Sequence, residues 1–474
     1  MAETKQKVLE PTTPGTSAKI VGGAPLVKYV IAYTIGALAL FACYSALSSI
    51  LLPNQIQGIE FNQFFKGTKI GSVNDLNALA DLVNSKASLT GSQKHLADIY
   101  NQYSAARAKN LSYVHAIASL FTMFVQPIVG VVSDRWRSRW GRRSFWIVAG
   151  ATFGAVLMLG LRFSTTIILV GVFFVATSIS LNCMQGPFTT TIADRITDEK
   201  LGLLSSFSGM GMMIGGLCGS FIAGTFFAVL GLNVFFVFAV LIIVGALVFV
   251  LLAPDRSSKE LKTKPIDWKT FFKNFIIPLK DHDYRWTWLA RFSFMIGYQA
   301  INVYTLFILQ SYIHPAFSAN QANKWAPILS MIGMPGMIIA MLVGGALSDK
   351  FHNRKFFVFL GALIMAIGLF IPIVSPTFPA IICYAVLGNM GMGLYTAVDQ
   401  ALFIDVLPDK QDAGRDLGTA NVATNLGQML APVIGGQLVS ATITWGSGYR
   451  AIYILSCVCV LIGGIAVYKI RNVK

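Results

Sequence analysis

The sequence predicts an all-α integral membrane protein, with twelve transmembrane helices in two pseudo-symmetric six-helix bundles. Three observations predict it. Of 474 residues, 55% are hydrophobic and only 12% charged, against roughly 25% charged in a soluble domain. The charges leave long runs empty, and each run supplies the about 20 mostly apolar residues that a span takes. Landmarks in the first half of the chain also recur in the second.

The runs give the spans in order. No Asp, Glu, Lys or Arg occurs from Tyr29 to Ile59, Asn110 to Ser133, Ser144 to Leu161, or Phe163 to Ala193. Leu201 to Pro254 is long enough for two spans and breaks near Gly231-Leu232-Asn233. The second half follows with Phe292 to Asn323, Trp325 to Ser348, Phe356 to Val398, Leu417 to Tyr449 and Ala451 to Tyr468. The run Phe356 to Val398 breaks at Pro376 to Pro379 and holds two helices. The domains expected are an N-terminal six-helix bundle over 26–254, a charged linker over 255–285 and a C-terminal six-helix bundle over 286–470. Residues 1–25, rich in Thr, Pro, Gly and Lys, have no apolar core and read as a disordered cytoplasmic tail, not a signal peptide.

The net charge of +16 raises the question of nucleic acid. Its distribution answers it. With both termini on one side, the segments on that side hold 27 Lys and Arg, and the short loops opposite hold only Arg162, Lys324 and Arg450. That is the positive-inside bias, which puts both termini in the cytoplasm and speaks against nucleic acid; a multi-pass protein of the plasma membrane, with lipid as a partner, is expected. The segment 58–109 is then an outer loop, in which Leu76, Leu79, Leu82 and Val83 suggest a short amphipathic helix. The linker's aromatic residues alternate with lysines, as in a helix on the anionic leaflet or a plain tether. The six cysteines all lie in apolar runs and suit packing.

The repeat is specific. Gly130-Val-Val-Ser-Asp134 follows the second span, and Gly345-Ala-Leu-Ser-Asp349 follows the eighth, 215 residues later. Asp194 follows the fourth span and Asp405 the tenth, 211 residues apart. Two parallel repeats imply a pseudo-twofold axis along the membrane normal and a solute site near the midplane.

Ionisable groups inside spans cost roughly 2.5–3.5 kcal/mol at a helix centre, so each needs a reason. Asp399 lies six residues before Asp405, and Arg291 six after Arg285, so the two sit at similar depths, about 9 Å in at 1.5 Å per residue. They are expected to pair, either as a proton acceptor or gate at Asp399 or as a static ion pair. A sugar would want amides, hydroxyls and rings facing water. The candidates are Asn182 and Gln185 in span four, Tyr298, Gln299, Asn302 and Tyr304 in span seven, and Tyr395 and Gln400 in span ten. The same residue types also glue membrane helices together. The Gly-rich stretch Gly209 to Gly219 suits close helix packing. The sequence shows no phosphate-binding loop, metal-ligand cluster or nucleophile–base set, so an enzyme, a metal site and a cofactor are not expected.

The stretch Gly130-Val-Val-Ser-Asp134-Arg135-Trp-Arg137-Ser-Arg139-Trp-Gly141-Arg142-Arg143 resembles the loop between helices two and three of the major facilitator superfamily. With Asn182-Cys-Met-Gln185-Gly186-Pro187 and Asp399-Gln400-Ala-Leu, it looks most like the plant sucrose–proton symporters and their bacterial and animal relatives, which are related to the glycoside–pentoside–hexuronide cation symporters. The resemblance covers about 110–435. It implies the major facilitator fold and a secondary transporter of a small polar solute, a mono- or disaccharide, working by alternating access. A monomer is expected, and the proton gradient is the expected driving force, with Asp399 as the acceptor; the resemblance does not carry that coupling over. It also implies a cytoplasmic latch of Gly130, Asp134, Arg135, Arg139, Gly141, Arg142, Arg143, Asp194, Asp349, Asp405 and Arg415. One feature departs from the pattern: where the symporters carry an Asp and an Arg in span four, this chain has Ser178 and Thr189. A facilitator or exporter of another solute (a nucleoside, drug or organic ion) therefore stays open, as does a non-transporting sensor.

Overall fold

Long uncharged runs fold as helices because a backbone in lipid must satisfy its own hydrogen bonds. The computed structural model describes residues 8–9, 17–85, 91–260, 277–406, 413–444 and 448–471. Helix α1 (Gly23–Ala46) passes through a π turn at Leu47–Leu51 into α2 (Leu52–Phe64). Short α3 (Leu76–Asn84) precedes α4 (Gly91–Asp134), α5 (Ser144–Arg162), α6 (Ile167–Arg195), α7 (Asp198–Leu230) and α8 (Val234–Leu252). The second half holds α9 (His282–Ser311), α10 (Ala319–Phe351), α11 (Arg354–Val374), α12 (Phe378–Asp405), α13 (Ala413–Ala441) and α14 (Tyr449–Ala466). Counting α1–α2 as one, twelve long helices lie among the described residues. The only strands among them, Val8–Leu9 and Lys19–Ile20, pair antiparallel.

The breaks fall where local chemistry puts them. A 3-10 turn at Gly231–Asn233 separates α7 from α8, and Pro376 lies in the gap between α11 and α12. Side-chain caps start several helices: Asp281 accepts from Tyr284 N, Asn353 from Phe356 N, and Ser318 forms a capping box with Gln321. Among the described residues ten helical stretches are long and apolar enough to cross a membrane, and one of them, Phe207–Leu252, takes in most of α7 and all of α8. Helix α13, which carries Asn421, Asn425, Gln428 and Gln437, is not among the ten.

The chain divides into two compact units. Unit 1 is 1–55 with 120–265. Its α1 packs on α7 through glycines: a methyl group on Gly215 would come within 2.9 Å of the Leu38 carbonyl oxygen, and one on Gly219 would strike the Ala42 backbone. This is the small-residue crossing that stands in for a hydrophobic driving force in lipid. Beside it, Tyr33 stacks on Phe188 at 4.4 Å and Phe188 meets Phe249 edge-on at 4.9 Å.

Unit 2 is 56–119 with 266–474. Helices α10, α11 and α12 pack together, and α9 packs on α13 and α14. The segment 58–109, expected as a loop, is mostly helix. Phe65, Leu76, Leu79, Ala80, Tyr100 and Tyr103 close on Ala316 in a hydrophobic cluster. Polar ties reinforce it: Ala316 N donates to Asp81 Oδ1 at 2.8 Å and Asn84 Nδ2 to the Ser311 carbonyl at 2.8 Å. The hydrophobic quartet Leu76, Leu79, Leu82 and Val83 lies on α3.

Candidate functional site

In unit 2, α9 and α12 carry Arg291 and Asp399 into one buried contact. Arg291 Nε donates to Asp399 Oδ2 at 2.7 Å, and its Nη2 approaches the same oxygen at 2.6 Å. The side chains are 7% and 5% exposed. Nη2 also donates to Gln400 Oε1 at 3.3 Å, and the guanidinium lies 3.9 Å over the Phe403 ring. Three neighbours on one helix therefore hold the cation, and the pair carries no net charge. One turn before Asp399, buried Tyr395 stacks flat on Phe294 with ring centres 3.6 Å apart.

Further along α9, Tyr298, Asn302 and Thr305 line a recess of about 40 Å³ with Ser330, Tyr384 and Asn389. The recess holds no charged side chain. Its volume suits a few waters, not a whole sugar. Asn302 is exposed and donates to the Tyr298 carbonyl at 2.9 Å. Gln299 is half-buried and does not line this recess. Tyr304 points elsewhere, donating to the Pro432 carbonyl at 2.9 Å. Ser330, Tyr384 and Asn389 escaped the sequence reading, since a polar residue in a span looks the same whether it glues or lines.

Asn182 and Gln185 lie on α6 of unit 1. Asn182 is buried and donates to the Ser178 carbonyl of its own helix at 2.9 Å, and Gln185 is half-buried. Thr189, where the symporters have Arg, donates to the carbonyls of Gln185 and Gly186.

The basic end of unit 1 gathers four of the residues expected in the latch. Arg143, 4% exposed, reaches Asp134 at 2.5 Å, Asp194 at 2.9 Å and Ser133 Oγ at 2.6 Å. Arg142 takes the other Asp194 oxygen at 2.7 Å. Asp134 meets the side chain of Arg143, the N-cap residue of α5. Gly141 has φ of +87°, and a methyl group there would strike the Asp255 side chain, so this loop needs glycine twice over. Arg135 donates to the Val131 carbonyl at 2.9 Å, Arg139 is exposed, and a methyl group on Gly130 would meet nothing within 4 Å.

Unit 2 repeats the motif. Arg354 pairs with Asp405 at 3.1 Å, and both residues lie 211 positions after Arg143 and Asp194. The sequence reading matched the carboxylates and missed Arg354, which the same offset applied to Arg143 locates. Asp349 is exposed. Arg415 has its backbone in α13, and its side chain lies outside the described residues.

Sequence reasoning also missed Arg107. It is 2% exposed in α4, and among the described residues no carboxylate comes within ion-pair distance. Its Nη1 donates to Gln310 Oε1 at 2.7 Å, its Nη2 to Ser311 Oγ, and the rings of Phe307 and Tyr103 lie 4.4 Å and 4.9 Å away. Both partners end α9, where the helix carbonyls favour a cation. Nearby, buried Glu60 accepts from Asn110 at 2.6 Å.

Residues 76–337 and 306–474 match the sequence profile of the Major Facilitator Superfamily. No curated protein sequence matches the chain. Several solved structures are similar to it. A bacterial homologue of the human lysosomal transporter Spinster, inward-facing and unoccupied, has a TM-score of 0.65 at 13% identity, covering 95% of this chain and 98% of that one. The nucleoside transporter NupG has a TM-score of 0.67 at 12% identity, covering 94% and 100%. A D-xylose–proton symporter has a TM-score of 0.63 at 14% identity, covering 95% and 98%. At these identities the likeness shows a shared fold.

Proposed function

The chain belongs to the major facilitator superfamily of small-solute transporters, and we propose that it carries a neutral sugar by alternating access, coupled to protons through Asp399. The observation that carries this reading is the buried charge pair between α9 and α12. Arg291 and Asp399 cancel each other, and the recess further along α9 is lined by amides, hydroxyls, aromatic rings and aliphatic side chains, with no charged residue. A solute with a fixed charge wants an uncancelled opposite charge in its binding site, because desolvating an unpaired ion costs several kcal/mol. The recess is too small for a whole sugar, but its walls carry the chemistry that part of one would use: paired donors and acceptors, with rings against its apolar faces.

Asp399 is the proposed proton acceptor because protonating it would release Arg291, a change that the helices holding them would feel. The cytoplasmic placement of both termini, the plasma membrane, the monomeric state and the relation to sucrose symporters belong to the same reading, supported by the Lys and Arg distribution and by the loop motif. Asp399→Asn in proteoliposomes tests the coupling: gradient-driven accumulation should vanish while exchange of labelled sugar at equal concentrations persists. Accumulation at the wild-type level would remove Asp399 from the mechanism. A facilitator is the second reading, favoured by Ser178 and Thr189 where symporters keep a charge pair. It expects wild-type uptake that a protonophore leaves unchanged.

A further inference from the structure

Asp399 uses its two oxygens unequally. Oδ2 takes both Arg291 nitrogens, at 2.7 Å and 2.6 Å. Oδ1 is buried and accepts from neither. One turn earlier on α12, the hydroxyl of Tyr395 is the other stranded polar atom of the site. Residues four apart share a helix face, and this hydroxyl is a hydrogen-bonding neighbour of the Asp399 carboxylate. The ring that carries it is fixed. It is fully buried and stacks on Phe294 of α9 with centres 3.6 Å apart. Gly361 of α11 closes on the Tyr395 backbone, where a methyl group would come within 2.9 Å of the amide nitrogen.

Among the described residues, Arg291 of α9 and Tyr395 of α12 are the titratable groups that act on the carboxylate. The other helices packed on α12 bring no competitor. Arg354, at the start of α11, is spent on Asp405. Asp349 and Lys350, near the end of α10, are exposed. Helix α13 has no charged residue from Leu417 to Ala441. A proton reaching Asp399 therefore finds Oδ2 occupied by the guanidinium and Oδ1 open. The buried O–H so formed needs an acceptor, and a tyrosine oxygen can accept as well as donate. Arg291, left facing a neutral acid, still has Gln400 Oε1 at 3.3 Å and the Phe403 ring.

On the reading that Asp399 takes the coupling proton, we propose that the proton sits on Oδ1 and that Tyr395 partners it in both states, donating to Oδ1 when Asp399 is ionised and accepting from it when Asp399 is protonated. Donation to a charge is the stronger of the two bonds. The hydroxyl therefore favours the ionised acid and sets the pH at which the site loads. The test is an infrared titration of the full chain in nanodiscs, following the protonated-carboxyl band that Asp399→Asn removes. Tyr395→Phe keeps the ring and its stack, and should move the midpoint of that band up by about one pH unit, a tenfold change in proton affinity. In proteoliposomes the alkaline limit of sugar accumulation should move the same way. Tyr312→Phe removes another buried hydroxyl, bonded to the Pro372 carbonyl at 2.6 Å, and should leave the midpoint in place. An unmoved midpoint in Tyr395→Phe, or an equal shift in Tyr312→Phe, would overturn the role of Tyr395. If Asp399→Asn removes no band at any pH the fold survives, Asp399 keeps its charge throughout and the proposal fails. A midpoint that shifts in Tyr395→Phe while Asp399→Asn still accumulates sugar would support the hydrogen bond and refute only Asp399 as the coupling group.

Discussion

Arg291 holds Asp399 with two nitrogens, Nε at 2.7 Å and Nη2 at 2.6 Å, and both side chains are almost wholly buried. Such a pair is weak evidence of stability and strong evidence of dependence, because removing one partner strands the other charge. Arg291→Gln should therefore destabilise the protein by about 3–5 kcal/mol. The double variant Arg291→Gln/Asp399→Asn should recover a large part of that loss. Thermal unfolding of the two single variants and the double, read as a double-mutant cycle, measures the coupling.

The Arg143 cluster and its repeat at Arg354 differ in burial. Arg143 is 4% exposed and holds two carboxylates and Ser133, whereas Arg354 and Asp405 are 25% and 36% exposed. Arg143→Ala should cost about 3 kcal/mol or more, and Arg354→Ala no more than about 1 kcal/mol. Salt should weaken only the second interaction noticeably. Melting both variants at low and high ionic strength checks the contrast.

Gly141 turns the loop after α4 with φ of +87°. Any side chain there pays about 1–2 kcal/mol for the left-handed backbone, and its Cβ would strike Asp255. Gly141→Ala should lower the melting temperature more than Gly130→Ala, whose methyl group meets nothing within 4 Å. Parallel melting curves of the two variants decide it.

Arg107 has neutral partners and aromatic faces where a buried cation normally has a carboxylate. Arg107→Leu removes the charge but leaves Gln310 Oε1 without its 2.7 Å donor, a loss of about 1–3 kcal/mol, while Ser311 Oγ keeps the Tyr100 hydroxyl at 2.7 Å. Arg107→Gln, which still donates, should lose less. The ranking of the two midpoints is the check.

How much of this was legible in the sequence follows the range of the forces involved. Each span is a local fact, since an uncharged run in lipid has no choice but helix, and the breaks at Gly231–Asn233 and Pro376 are equally local. Arg291 and Asp399 were legible because two costly charges stand at similar depth in otherwise apolar runs. The segment 58–109 was not, because its helices are held by packing of Phe65, Leu76 and Tyr103 onto Ala316 and not by their own composition. Arg107 was hidden inside that segment. The recess at Asn389 and Ser330 depends on which way side chains face across α10 and α12, which spacing along one helix does not determine.

Uptake of labelled mono- and disaccharides into proteoliposomes holding the full chain, with and without a protonophore, tests the central claim most directly. The account predicts that at least one neutral sugar accumulates against its gradient and that the protonophore abolishes the accumulation. Transport of a charged solute with no uptake or exchange of any sugar in the panel would contradict it.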